Sequence, residues 1–271
     1  MRSWSRRALS ALALLAAALA YSGSAVAQTK PTRVAPSAPV ASLMWVGNSF
    51  FYYNNSMHNH VGALYRSAVP AGNLRGVSVT ISGSGIDWHD LASLLRPDGI
   101  GRYSFRGDNE IVFNPPGRQF DAVLIMDCSQ CPVHPELKAV FHEQAARQAR
   151  IARERGVEPM FFMSWAYKDK PEMIAGLADE YTTAGNANDA LVVPAGLAFA
   201  RAIAARPELE LYQPDKRHPS LAGTYLAAAT VYAALKGASP EPLTYTAGLP
   251  ADVASFLRKI AWDTVQDFYR R

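Results

Sequence analysis

The chain is predicted to be an α/β protein built on a doubly wound sheet of five mostly parallel strands, with helices on both faces. Three observations predict it. Five short apolar blocks recur along the chain, as expected of strands in a covered parallel sheet. Stretches of helical period separate them, the alternation that parallel strands joined by crossover helices produce. Finally, 271 residues, 49% hydrophobic and 18% charged, suffice for one large core.

The first block is Leu43-Met44-Trp45-Val46, closed by Gly47-Asn48-Ser49, with a helix expected over residues 56–67. Residues 77–81 form the second block, closed by Ser82-Gly83-Ser84-Gly85, and a short helix is expected over 88–95. Residues 97–118 are rich in Gly, Pro, Asn and Arg, so an irregular excursion is expected there, with a short strand at 110–113. Residues 122–126 are the third block, and a long amphipathic helix over 136–155 ends at Gly156. The fourth strand is expected over 159–164 and the fifth over 190–193, with helices over 170–184, 196–206, 221–236 and 251–269.

The N-terminus reads differently. Arg2, Arg6 and Arg7 precede an apolar run from Ala8 to Ala20, and Ala25-Val26-Ala27 supplies the small residues a signal peptidase reads. Residues 1–27 are therefore expected to be a cleavable export signal, which implies a periplasmic or secreted protein. Residues 28–42 carry three prolines and no periodicity, and are expected to be a loose tether ahead of one domain over 43–271. Without the signal, 24 basic residues face 23 acidic ones, so the sequence pI near 9.1 does not argue for nucleic acid. No later stretch is long and apolar enough to span a bilayer.

In a doubly wound sheet, reactive groups collect at the carboxyl ends of the strands. Ser49 follows the first strand directly, where its hydroxyl would face the crevice and its N–H would lie at a helix start. A capping serine would look the same. Near the other end, Asp215-Lys216-Arg217-His218-Pro219-Ser220 leads into a helix. Pro219 biases His218 toward extended backbone, Ser220 can cap the helix, and Asp215 can reach one imidazole nitrogen while the other faces outward as a base. A solvated Asp–His pair is the plain alternative.

Together, Gly47-Asn48-Ser49-Phe50 and the Asp215 to Ala227 segment resemble the SGNH (GDSL-like) hydrolase superfamily. The resemblance is closest to a bacterial branch carrying His-Pro-Ser-x-x-Gly-Thr-Tyr-Leu-Ala, here His218 to Ala227. It implies a flavodoxin-like three-layer α/β/α sandwich and a serine esterase with Ser49 as nucleophile, His218 as general base and Asp215 orienting His218. It also implies an oxyanion hole made by the Ser49 N–H, a glycine N–H after the second strand and an asparagine after the third. Gly85 is the favoured glycine, with Gly83 as the alternative. The third place departs from the pattern. It reads Asp127-Cys128-Ser129-Gln130-Cys131-Pro132, where ionised Asp127 would repel an oxyanion and Ser129 or Gln130 could donate; Ser129 is the assignment carried forward.

Rival readings come from other classes. Cys128-x-x-Cys131 superficially matches a thioredoxin-type redox site, but in an exported chain a lone pair is expected to be a structural bridge. A glycan-binding module that kept the fold would be missing a triad member, and none is missing. His58, His60, His89, His134 and His142 fit no zinc spacing, so no metal and no cofactor are expected. Trp88 and His89, and Trp165, Ala166 and Tyr167, are expected either to line the pocket or to join the core. The partner expected is a small-molecule or carbohydrate ester, an acetyl or other short acyl group on a sugar being the first choice.

Overall fold

The computed structural model describes residues 29–270, so the proposed export signal lies outside the described residues. In chain order the elements are β1 (Ser42–Gly47), α1 (Ser49–Tyr52), α2 (Met57–Arg66), β2 (Arg75–Thr80), a 3₁₀ turn (Ile86–Trp88), α3 (Leu91–Leu94), β3 (Tyr103–Phe105) and β4 (Ile111–Phe113). There follow β5 (Ala122–Ile125), α4 (Lys138–Glu154), β6 (Glu158–Phe162), α5 (Met173–Ala187), β7 (Leu191–Val193), α6 (Ala195–Ala205), α7 (Leu221–Lys236) and α8 (Ala251–Tyr269).

The predicted sheet is present. Its order is β2-β1-β5-β6-β7 and every neighbouring pair is parallel. Strand residues alternate between two cores, as period-two geometry requires. Leu43, Trp45, Leu124 and Phe162 pack under α2, α6, α7 and α8, whereas Met44, Val46, Val123, Ile125 and Phe161 pack under α4 and α5. A three-layer sandwich results. Its innermost helix is α7, in which every residue from Ala222 to Leu235 is buried. That explains its unbroken small and apolar composition, which carries no amphipathic stripe. Gly223 is obligatory there, because a Cβ would lie 2.3 Å from the Leu211 carbonyl oxygen.

Two expectations need correction. Residues 29–41 have no helix or strand, but they are not loose. Arg33 pairs with Glu158 at 2.7 Å, Thr32 N donates to Asn186 Oδ1 at 2.8 Å, and Ala41 N donates to Asp121 Oδ2 at 2.9 Å. Pro31 and Val40 are buried. The segment therefore straps the amino edge of the sheet from β6 to β1. The excursion is likewise partly regular: β3, which was not expected, pairs antiparallel with β4. Their hairpin exposes Tyr103, Phe105, Ile111 and Phe113.

Candidate active site

The site grows from the end of β1. Asn48 is the N-cap of α1: its backbone is extended and its Oδ1 accepts from Phe50 N at 3.2 Å. Its Nδ2 donates to Ser84 O at 3.0 Å and to Asp127 O at 3.1 Å, so one buried amide ties together the chain segments that follow β1, β2 and β5. Ser49 is the next residue, at the first helical position. Because Asn48 does the capping, the Ser49 hydroxyl is left for other work, which removes the helix-cap alternative.

That hydroxyl meets His218. Ser49 Oγ lies 2.8 Å from His218 Nε2, and His218 Nδ1 is hydrogen-bonded to Asp215 Oδ2. The other Asp215 oxygen accepts from Arg217 N at 2.9 Å and His218 N at 3.0 Å, closing a turn in which Lys216 takes a left-handed φ of 64°. Burial pushes the Asp215 carboxyl up, but the His218 ring and the two amides outweigh it and hold the group below its ordinary range. An ionised Asp215 places the imidazole proton on Nδ1 and leaves the Nε2 lone pair toward Ser49.

The histidine is held from several sides. Tyr53 stacks on its ring at 4.2 Å and Phe50 meets it edge-on at 5.7 Å. Trp165 Nε1 donates to Arg217 O at 3.0 Å, Gln213 N donates to His218 O at 2.8 Å, and Asn54 Nδ2 donates to Pro219 O at 2.9 Å. Arg217 lies 4.0 Å over the Tyr167 ring and pairs with Asp169. Sequence reasoning missed Asn48, Tyr53 and Asn54. Asn48 carried a readable signal, as a capping-type residue at the start of a helix.

The second-strand glycines divide their roles. Gly83 has φ +72° inside a turn closed by Ser84 N to Ile81 O, and a Cβ on it would meet nothing within 4 Å. Gly85 sits inside the site instead, where a Cβ would lie 2.5 Å from Asp87 Oδ1 and 3.2 Å from Asp127 Oδ1. Neither the Ser49 nor the Gly85 amide donates a hydrogen bond within the described residues, so neither is committed to a protein acceptor there.

At the third place, Asp127 is buried, and its Oδ1 accepts from Cys128 N at 2.7 Å and Ile86 N at 2.8 Å. Burial pushes its pKa up to about 6, against the pull of these two amides. The Ser129 hydroxyl lies 2.6 Å from Tyr167 Oη, on the side of the His218 turn. Cys128 and Cys131 are bonded to each other, with Cα atoms 5.2 Å apart. Their sulfurs cluster with Asp127, but a disulfide offers no thiolate to a metal. Of the residues read as pocket or core, Trp165 and Ala166 are buried, Tyr167 is half-buried and Trp88 is 60% exposed. His89 is buried against Ser84 Oγ at 3.0 Å.

No family model matches the chain, and no curated relative matches it. Solved structures do. The fold is that of the SGNH hydrolases. A DUF4886 family protein from Bacteroides uniformis superimposes with a TM-score of 0.59 over 84% of this chain and 96% of its own, at 15% identity. A protein described as an SGNH hydrolase from Slackia heliotrinireducens gives 0.52 over 71% and 96%, at 18% identity. A catalytic mutant of an acetylxylan esterase from Geobacillus stearothermophilus gives 0.51 over 74% and 95%, at 15% identity.

Proposed function

We propose that this chain is an exported serine esterase that removes an acetyl or other short acyl group from a carbohydrate through an acyl-enzyme. The observation that carries the reading is the continuous relay from Ser49 Oγ through His218 to Asp215, beside two uncommitted amides. In this reading His218 Nε2 takes the Ser49 proton as Oγ attacks the ester carbonyl. The Ser49 and Gly85 amides receive the oxyanion, and His218 then protonates the leaving alcohol. Water, deprotonated by the same nitrogen, releases the acid. No step calls for a metal or cofactor.

Export rests on the Arg-rich, apolar and small-residue pattern of residues 1–27. The sugar assignment is supported by Trp88, 60% exposed three residues beyond Gly85, and by Tyr52, 39% exposed on the helix that bears Ser49. Flat aromatic faces with a polar edge suit a ring that is apolar on one side and hydroxylated around its rim. A small fluorophosphonate tests the reading, since it labels a serine only where a base activates it. The adduct should fall on Ser49 and vanish in Ser49→Ala and in His218→Ala. In Asp215→Asn it should form at least about a hundredfold more slowly, because His218 loses the partner that fixes its tautomer. An adduct on another serine, or labelling undiminished in folded His218→Ala, would overturn it.

A further inference from the structure

Behind the turn that carries His218 lies a cleft that the esterase chemistry does not use. It has a volume of about 280 Å³ and opens between α6, the segment after β6 and residues 207–212. Ile174, Phe199, Ile203 and Leu209 line it, and Lys168 and Glu210 stand at its polar side. The cleft is not an acyl pocket for Ser49. Phe199 stacks on Trp165 at 4.2 Å and Trp165 stacks on Phe50 at 4.5 Å, so three parallel rings stand between it and the nucleophile. Tyr212 Oη, donating to Ala166 O at 2.8 Å, joins two of its walls.

We propose that this cleft binds a medium-chain aliphatic carboxylate, its tail among Ile174, Phe199, Ile203 and Leu209 and its head group on Lys168. Size, polarity and charge converge on that ligand. The volume equals that of about nine waters in the liquid, which suits one saturated chain and is too small for a folded partner. The tail region offers little to water, so an apolar occupant gains the free energy of the surface it covers. Among the described residues that line the cleft Lys168 is the one cation, and it pairs with Glu210. Glu210 keeps a second anchor, its Oε1 accepting from Tyr212 N at 3.0 Å, while an ammonium carries three donors. Lys168 can therefore bridge Glu210 and a second carboxylate without breaking the first pair.

The same wall reaches the catalytic turn. Ser220 N donates to Leu211 O at 2.9 Å, Ser220 Oγ donates to Glu210 O at 2.8 Å, and Lys168 N donates to Lys216 O at 3.0 Å. A bound chain would press on the segments that hold His218. Buried Trp165, stacked against Phe199, reports occupancy by fluorescence.

The inference does not depend on the esterase reading, and its test uses the Ser49→Ala chain so that turnover plays no part. Decanoate is titrated below its micellar concentration, followed by calorimetry and by tryptophan emission. One saturable site is expected, at least about tenfold weaker in Ala200→Phe, which fills the cleft. Lys168→Ala should weaken decanoate while leaving decanol unchanged. Circular dichroism and thermal unfolding confirm that each variant is folded, and Ala204→Leu provides a gentler filling change. No saturable binding to the Ser49→Ala chain would overturn the proposal, as would equal affinity in folded Ala200→Phe and Ala204→Leu. Decanol and decanoate responding alike to Lys168→Ala would overturn the head-group assignment.

Discussion

Replacing Asp127 by asparagine should stabilise the protein at neutral pH and leave it no more stable, relative to the parent, in acid than the substitution itself dictates. The carboxyl is buried at the end of β5 and its pKa is raised from 3.8 to about 6. Burial dominates, assisted by the charge of nearby Asp87 and opposed by the Ile86 and Cys128 amides. Between about pH 4 and pH 6 the folded chain holds a proton on Asp127 that the unfolded chain has released. Stability must fall as pH rises through that window, because the folded state binds more protons. A rise of about two pKa units is worth about 3 kcal/mol, fully lost above pH 7. Asparagine keeps an oxygen for the two amide donors and removes the buried charge.

The assay is urea unfolding of parent and Asp127→Asn at pH 4, 5, 6, 7 and 8. Other titrating groups are common to both chains, so the difference isolates Asp127. The variant should gain about 2.5 kcal/mol on the parent between pH 4 and pH 7, most of it between pH 4 and 6. A difference flat across that range would refute the reasoning. A gain in the opposite direction would mean that the amides outweigh burial and that Asp127 ionises more readily folded than unfolded.

Three further outcomes follow from named contacts. Asn48→Ala removes a helix cap and strands the Ser84 and Asp127 carbonyls, so urea unfolding should show a loss of about 2–4 kcal/mol, with kcat falling more than KM changes. Intact mass with alkylation should find no free thiol in chain made with its export signal; the bridge closes so short a loop that a Cys128→Ser, Cys131→Ser chain should lose little stability. Trp88→Ala should raise KM for an acetylated sugar while leaving nitrophenyl acetate hydrolysis within about twofold, since the proposed sugar contact falls on this exposed ring.

What could be read from sequence followed how local each cause is. Four of the five sheet strands were legible as apolar blocks buried on both faces; β2, half-buried throughout, was legible from the alternation Val77-Ser78-Val79-Thr80-Ile81, and the observed ends differ from expectation by only one or two residues. The β3 strand was hidden, since Tyr103-Ser104-Phe105 sits between arginines and pairs only with a three-residue partner. One turn of helix, α1, shows no period at all. The strap over residues 29–41 was misread for a different reason. Its partners include Asp121, Glu158 and Asn186, up to 156 positions away, and Pro-rich composition says nothing about such distant side chains. Asp215 and His218 were readable as a pair because they stand only three positions apart. That Ser49 meets His218 across 169 positions came from resemblance to other chains.

Ser49 and His218 each have a neighbour that takes over a plainer duty. A serine at a helix start ordinarily caps, but at α1 Asn48 accepts the Phe50 N–H, and Ser49 is shifted one place into the helix with its hydroxyl unspent. A histidine before a helix can cap or join a surface ion pair, but at α7 Ser220 accepts the Gly223 N–H. The nearby cation is engaged too: Arg217 turns to Asp169 and Tyr167, which leaves both Asp215 oxygens to the turn and the imidazole. Capping and charge pairing are thus satisfied by residues one or two positions away. The Ser49 hydroxyl and the His218 Nε2 face each other because neither is claimed by the local structure that holds it.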